Sequence, residues 1–231
     1  MLNNILFFSL LLTFLICLSC SDESTSPDDD KETGTMTDID GNVYKTVKIG
    51  TQWWMAENLK VTHYQNGDGI PNVNSSFYWQ NLISGAYCIY DNNESNAQIY
   101  GLLYNWYAGD DERIIAPEGW HVPSENEWIT LVDYLGGFGY AGGKMKENGT
   151  AHWLSPNTGA NNESGFTALP GGVYSAGSGY LGITGSSFFL SSTGDDERGF
   201  WCLHLSYLYE RLAGETWPKN SGVSIRCVKD N

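Results

Sequence analysis

The sequence predicts a loop-rich domain of short strands and turns, with two helices placed among them. Three observations support this prediction. Of the 231 residues, 17% are charged and 14% are aromatic, whereas about 25% of the residues of an ordinary soluble domain are charged. Glycine occurs 27 times, as expected of a chain with many turns. Hydrophobic residues alternate along short segments near both ends of the domain, which is typical of strands with one buried face.

The domain is expected to begin with a β-hairpin. A turn signal at 38–42 precedes a strand in which hydrophobic residues alternate as far as Ile49. A second turn at 50–52 leads into another strand at 53–55. Residues 63–76 are rich in Asn, Asp and Gly and predict a long loop.

Two helices are predicted in the middle of the chain. Residues 97–108 carry hydrophobic side chains at helical spacing. The second helix starts with a capping box, in which Ser124 accepts from the amide of Glu127 and Glu127 returns the bond. Gly136-Gly137 is expected to end this helix. Beyond residue 138 the sequence predicts no helix, and short aromatic strands are expected at 171–175, 179–183, 187–192, 200–207 and 223–229.

The first residues are expected to form an export signal. The apolar stretch from Ile5 to Leu18 is shorter than the roughly 20 residues that span a membrane, and it fits the hydrophobic part of a signal peptide. Residues 16–20, Ile-Cys-Leu-Ser-Cys, resemble a bacterial lipobox. This resemblance implies a signal peptide at 1–19 and a lipid anchor on Cys20, with an ordinary cleaved signal as the alternative.

An acidic, disordered tether is expected at 20–36, because residues 21–30 contain nothing apolar that could pack. An acidic run after a lipidated cysteine resembles the surface-export signal of Bacteroidota lipoproteins, which implies an outer-membrane lipoprotein at the cell surface. A plain solvated linker is the alternative. The folded domain is then expected at 37–231. A formal net charge of −15 argues against a nucleic-acid partner.

Three cysteines remain inside the predicted domain: Cys88, Cys202 and Cys227. The last two lie in the predicted strands 200–207 and 223–229, and they face each other if these strands form a hairpin. A cross-strand disulfide needs a non-hydrogen-bonded pair, so one Cys202–Cys227 bridge and no bridge at all both stay open.

Two groups of residues could bind Ca²⁺ through oxygen atoms. Asp91, Asn93 and Glu94 form the first group, and residues 195–197, Asp-Asp-Glu, form the second. The first group directly precedes the helix predicted at 97, and acidic residues also suit a helix N-terminus electrostatically. Metal binding and helix stabilisation are therefore alternatives for it.

Aromatic residues are more numerous than the core of one such domain requires, with 9 Trp and 14 Tyr. Trp79, Trp153, Tyr180 and Trp217 stand beside Gly, Asn or Ser in predicted loops. Exposed rings there would stack on the faces of sugars or on a protein partner. The alternative for each ring is that it pins its own loop.

Evidence for catalysis in the sequence is weak. His121 precedes the capping box and is expected to act as a structural hydrogen-bonding group. The sequence contains no nucleophile elbow and no phosphate-binding loop. A glycosidase would need two carboxylates about 5–9 Å apart in space, which the sequence alone does not define.

Several phrases in order resemble those of the Fibrobacter succinogenes major paralogous domain family, over about residues 37–230. The most specific is Gly-Trp-His-Val-Pro-Ser-Glu-Asn-Glu-Trp at 119–128, and others lie at 100–108, 163–172, 191–193 and 223–230. Their order is also similar to that of the formylglycine-generating-enzyme fold, a variant of the C-type lectin fold. The resemblance implies an α+β fold, with two helices on a small twisted antiparallel sheet and long ordered loops. The family usually has a cysteine at the position of Ala116, so any bridge that the family forms from there is lost, and the pairing of Cys88 and Cys227 is undetermined.

The function predicted from these features is a surface-tethered, non-catalytic binding module. Its loops would contact a glycan or an extracellular protein, and its lipid would contact the membrane. No cofactor is expected apart from a possible Ca²⁺ ion. The alternative is an extracellular hydrolase, or an oxidase like the formylglycine-generating enzyme, whose site is assembled only in the fold.

Overall fold

The computed structural model describes residues 31–195 and 199–230. The predicted signal peptide, Cys20 and the first part of the predicted tether lie outside the described residues, as do Asp196 and Glu197 of the second calcium candidate. Among the residues described, no helix combines the length and the apolar character that crossing a membrane requires.

A five-stranded antiparallel sheet contains the predicted hairpin, which is confirmed. The strands are β1 (Thr33–Thr37), β2 (Val43–Ile49), β3 (Gln52–Met55), β6 (Trp120–His121) and β12 (Val228–Lys229). Their order in the sheet is β1-β2-β3-β12-β6. Because β1 pairs with β2 from Thr33 onward, the ordered chain begins before residue 37, and the end of the predicted tether is a strand.

A second antiparallel sheet is formed by the strands β9 (Ser186–Asp195), β10 (Gly199–Ser206) and β11 (Ala213–Trp217), with β10 in the centre. The expected pairing of 200–207 with 223–229 is wrong, because the turn-rich segment after residue 212 supplies the strand that pairs with β10. Cys202 lies opposite Glu215 and Leu190.

Of the two alternatives for Cys202 and Cys227, the bridge is therefore wrong as well. Cys202 belongs to the second sheet, whereas Cys227 directly precedes β12 of the first. Cys88, Cys202 and Cys227 are all free and buried.

Two small sheets and five α-helices complete the part of the chain that the structure describes. The fold is thus α+β, as predicted, but it has more sheets and more short helices than two helices on one sheet. The remaining strands are β4 (Tyr87–Cys88), β5 (Leu103–Tyr104), β7 (Val173–Ser175) and β8 (Gly179–Leu181), and the helices are α1 (Ser76–Trp79), α2 (Glu94–Tyr100), α3 (Trp106–Gly109), α4 (Glu125–Tyr134) and α5 (Ala141–Met145).

The single helix predicted at 97–108 is two helices with a strand between them. The first, α2, ends at Gly101, whose φ of 78° lies in the left-handed region that favours glycine. A side chain there is also excluded, because its Cβ would lie 2.9 Å from the carbonyl oxygen of Leu59. The side chain of Asn105 then caps α3 by accepting from the amide of Ala108.

The helix α4 has the predicted capping box, with Ser124 and Glu127 bonded reciprocally. Its successor α5 contradicts the expectation that no helix follows residue 138. Gly142 and Gly143 make α5 a poor helix on propensity, but Cβ atoms at these positions would lie 2.4 Å from the carbonyl oxygens of Glu210 and Gly159. Close backbone packing therefore requires glycine at both positions, and the low helix propensity of glycine is why the sequence does not predict this helix.

Arg226 connects two of the phrases that resemble the family, those at 163–172 and 223–230, inside the core. Its side chain is fully buried. Its guanidinium lies 4.2 Å from the centroid of the Phe166 ring and donates to the carbonyl oxygen of Thr167 at 2.8 Å. Nε donates to Asn58 at 2.8 Å. Burial lowers the pKa of Arg226 to about 9, and the carbonyl and amide oxygens solvate the cation in place of water.

Candidate functional site

One region of the described chain that could hold a ligand is a cleft next to β6, which we call the His121 cleft. It has a volume of about 510 Å³. The 109–116 loop, residues 119–122, Ser192 and Asp230 form its walls. The Gly-Trp-His phrase at 119–121 thus lies in the wall of this cleft.

His121 is bonded through both ring nitrogens. Nδ1 donates to Asp230 at 2.6 Å, and Nε2 donates to Glu127 at 2.7 Å when the ring is protonated. The other carboxylate oxygen of Glu127 accepts from the amide and the hydroxyl of Ser124, each at 2.8 Å. The histidine therefore ties the end of the first sheet to the N-terminus of α4.

These contacts favour the charged form of both partners. Burial opposes protonation of His121, but the hydrogen bonds to Asp230 and Glu127 outweigh it and raise the pKa of His121. Burial alone would raise the pKa of Glu127, whereas the bonds from Ser124 and His121 lower it. An imidazolium with two carboxylate partners has no free nitrogen to accept a proton. His121 thus acts as the structural group that the sequence predicts.

One carboxylate of the cleft and three thiols are also engaged or buried, whereas partial burial raises the pKa of Asp110 in the same wall. Asp111 in the wall of the cleft accepts from Arg113 at 2.8 and 2.7 Å. Burial raises the pKa of the Cys88 thiol to about 12, and it also raises the pKa values of Cys202 and Cys227. Since the thiolate is the reactive form of cysteine, these thiols are poor nucleophiles.

The first calcium candidate serves helix α2. The side chain of Asn93 accepts from the amide of Ser95 at 3.0 Å and so caps the helix, and Glu94 lies in its first turn. Asp91 is exposed and has a φ of 53°. Within 31–195 and 199–230, no three His, Cys, Asp or Glu side chains are grouped as metal ligands.

The four predicted ligand-binding rings divide into two pairs. Trp79 and Trp153 are buried, so their prediction as exposed stacking residues is wrong. Their indole N–H groups donate to the carbonyl oxygens of Asn220 and Ala168. Each of these two rings pins its own loop.

The other pair, Tyr180 and Trp217, is partly buried. The ring of Tyr180 lies between those of Tyr90 and Tyr174, with centroids 5.0 and 4.7 Å away. Trp217 packs against Phe188, with centroids 5.1 Å apart, and its N–H donates to Glu215 at 3.0 Å. Both rings thus use part of their surface within the fold.

The second region is the 73–86 loop, which displays the rings that the sequence analysis missed. Phe77 and Tyr78 are 68% and 67% exposed, and Ile83 is 83% exposed. Trp79 is the next residue and is completely buried. Successive side chains of a helical turn point to different sides. Because Trp79 points inward, Phe77 and Tyr78 before it point outward. The run Phe-Tyr-Trp at 77–79 was therefore the sequence signal that could have indicated exposed rings in this loop.

A frame of hydrogen bonds closes the 73–86 loop at its base. The amide of Val73 donates to Tyr87 at 2.9 Å, and the amide of Tyr87 donates to Pro71 at 2.9 Å. The buried side chain of Asn105 donates to the carbonyl oxygen of Ser84 at 2.8 Å. Asn220 donates to that of Gln80 at 2.7 Å. The exposed rings are thus carried by a loop with fixed ends.

Residues 47–229 match the model of the Fibrobacter succinogenes major domain (Fib_succ_major). Searches of curated proteins and of solved structures gave no match. The matched range includes the whole 73–86 loop and nearly all the residues that line the His121 cleft.

Proposed function

The chain belongs to the Fibrobacter succinogenes major domain family. From the exposed rings of the 73–86 loop we propose that it is a non-catalytic binding module. In this proposal it is an exported lipoprotein, anchored in the outer membrane through Cys20, with its domain at the cell surface. The 73–86 loop contacts a glycan or an extracellular protein. The proposed fold is a variant of the C-type lectin fold, related to that of the formylglycine-generating enzyme.

The observation that carries the proposal is the exposure of Phe77 and Tyr78 on a loop with fixed ends. Large exposed apolar groups that lie together are typical of interaction surfaces. Since the loop is held at its base by backbone and side-chain hydrogen bonds, little conformational freedom is lost when a ligand binds. The two rings are therefore suited to bind.

The enzymatic alternatives have less support. His121 has no free nitrogen for proton transfer when it bonds to both carboxylates, and burial raises the pKa of each cysteine thiol. A hydrolase or an oxidase would need groups that are free to react.

The proposal is tested with the full chain in detergent, by measuring binding to a panel of purified polysaccharides and extracellular matrix proteins. We expect at least one ligand to bind the wild type. The double variant Phe77→Ala/Tyr78→Ala should bind it about tenfold more weakly. The matched control is Tyr134→Ala/Tyr140→Ala, because these rings are exposed to a similar degree, 66% and 63%, on another part of the surface.

Two outcomes would contradict the proposal. One is turnover of a polysaccharide by the wild type that persists in the Phe77→Ala/Tyr78→Ala variant. The other is equal binding by the wild type and by that variant, with both chains folded by circular dichroism.

A further inference from the structure

We infer that the ligand of the 73–86 loop is a single chain of an uncharged polysaccharide, which contacts Phe77 and Tyr78 in the corner between their rings. This inference rests on the proposed binding function and specifies the chemical class of the ligand. It is carried by the distribution of charge, the polar groups around the rings, and the angle between the rings.

The loop lies in a part of the chain that is free of charge. No charged residue occurs between Asp68 and Asp91, although the whole chain carries a formal net charge of −15. The chain between Glu163 and Asp195 is also uncharged. Neither stretch supplies a charge of its own to attract an ionic ligand, although Asp91 lies near Tyr180 and Lys219 adjoins Asn220, which bonds to the loop. The acidic remainder of the molecule repels anions.

These two uncharged stretches pack together under the exposed rings. The ring of Tyr174 in β7 contacts that of Trp79, with centroids 4.9 Å apart and planes at 61°. Tyr180 in β8 contacts Tyr90 at 5.0 Å. The loop and the β7–β8 hairpin beside it thus contribute only uncharged side chains to this surface. A neutral ligand can cover this surface without removing a charge from water, which is the largest desolvation cost in binding.

The polar groups around the rings are amides and hydroxyls. Asn74, Ser75, Ser76, Gln80 and Asn81 are all exposed. Ser75 precedes α1 but does not cap it with its side chain. Amides and hydroxyls both donate and accept hydrogen bonds, as the hydroxyls of a sugar do. Aromatic rings with neutral polar neighbours suit a sugar, which has apolar C–H faces and a polar edge.

The ring geometry selects a single chain rather than a flat crystalline surface. The centroids of Phe77 and Tyr78 lie 5.5 Å apart, and the ring planes meet at 76°. A crystalline polysaccharide presents a plane, and only coplanar rings can stack on it together. Two rings that meet nearly at a right angle form a corner, which can enclose one chain on two sides.

Trp79 and Gly222 are positioning residues for this corner. A Cβ atom at residue 222 would lie 2.9 Å from the Trp79 ring and 3.1 Å from Cβ of Tyr174. The strand segment before Val223 therefore passes directly against the indole, and Gly222 allows Trp79 to lie deep enough to turn Phe77 and Tyr78 outward.

The inference is tested by affinity electrophoresis of the full chain in gels that contain one polysaccharide each. The neutral probes are mixed-linkage β-glucan, galactomannan and arabinoxylan, and the anionic probes are polygalacturonate and alginate. We expect at least one neutral probe to retard the wild type and the Tyr134→Ala/Tyr140→Ala control. Its apparent affinity should fall about tenfold in Phe77→Ala/Tyr78→Ala and should not change with salt.

Three further probes define the outcomes that overturn the inference: crystalline cellulose, vesicles of uncharged phospholipid, and a panel of matrix proteins. Binding to one of these or to an anionic polysaccharide, with none to the neutral chains, shows that the ligand class is wrong. If that binding is lost in Phe77→Ala/Tyr78→Ala, the proposed binding function stands. If no probe distinguishes the wild type from this variant, both the inference and the proposed function are wrong.

Discussion

The His121 cleft and the 73–86 loop differ in what their side chains leave free for a ligand. In the wall of the cleft, both nitrogens of His121 are bonded within the protein, one of them to Glu127 of α4, whose two carboxylate oxygens are both bonded as well. In the loop, Phe77 and Tyr78 contact each other and water. The region with the most specific sequence phrase is thus engaged in structure, whereas the region without such a phrase presents unused surface.

The two regions thus contain residues with different roles: those of the cleft stabilise the fold, and those of the loop are available for binding. A closed network of hydrogen bonds contributes to folding and leaves little to bind with. Exposed apolar rings contribute little to the free energy of folding, because they are in contact with water in both the unfolded and the folded state. Substitutions in the cleft should therefore change stability without changing binding, and substitutions of the loop rings should do the reverse.

Trp79→Ala should have the largest effect, because it removes the support of the loop. Replacing a fully buried tryptophan by alanine typically costs about 3–5 kcal/mol in the free energy of unfolding. It also removes the N–H that donates to Asn220. We expect both stability and ligand binding to fall, as measured by urea unfolding and affinity electrophoresis. Trp79→Phe should retain part of both, and unchanged stability in Trp79→Ala would contradict the assigned burial.

His121→Gln should lower stability by about 1 kcal/mol, since its two charge-assisted bonds are partly exposed to solvent. Binding of the loop ligand should not change. The control is His63→Gln, because His63 bonds to a single carboxylate, Asp40, at 2.6 Å, and should cost less. Loss of binding in His121→Gln with an intact fold would mean that the cleft is a ligand site.

The stability that His121 contributes should depend on pH. Because its folded pKa is raised above 6.5, this contribution is complete below pH 6.5 and is lost as the pH rises through the folded value. Because the folded pKa of Glu127 is lowered, its contribution is present above pH 4.5 and is lost as the pH falls through the lowered value.

The difference in melting temperature between the wild type and His121→Gln should therefore be largest between about pH 4.5 and 6.5. Thermal unfolding across this range measures it. Binding of an uncharged ligand at the loop should stay constant over the same interval. A difference that grows above pH 6.5 would contradict the assigned imidazolium.

Phe77→Ala and Tyr78→Ala, made singly, should have the smallest effect on stability, within about 0.5 kcal/mol, because both rings are exposed. Each should weaken binding by less than the double variant does. Chemical unfolding and affinity electrophoresis measure the two effects. A large loss of stability in either single variant would show that these rings pack within the fold.

Features that depend on neighbouring residues could be predicted from the sequence. The capping box of Ser124 and Glu127 and the hairpin of β2 and β3 each lie within a few residues of chain, and both are confirmed. The split at Gly101 could not be predicted in this way. It depends on the backbone of Leu59, which approaches from a distant part of the chain, and the hydrophobic spacing continues across it.

Of the four rings predicted to bind a ligand, only Trp79 lies in the loop with the exposed rings, and it is the buried residue next to them. A tryptophan beside Ser, Asn and Gly indicates a loop, but it does not indicate which neighbour is buried. That depends on Tyr174 and Asn220, which contact Trp79 only in the folded chain. The disulfide prediction failed for the same reason, since the partner strand of Cys202 is determined by long-range pairing with 213–217.

The three buried thiols make local opening of the fold measurable without any substitution. A thiol reagent reaches a buried cysteine only when the surrounding structure opens, and the rate of modification then reports the free energy of that opening. Cys88 lies in the hydrophobic cluster around Trp79, whereas Cys202 and Cys227 lie in the larger core. The rate at which Cys88 is modified therefore measures the opening of the cluster that supports the 73–86 loop. The modification rates of Cys202 and Cys227 measure the opening of the larger core in the same sample.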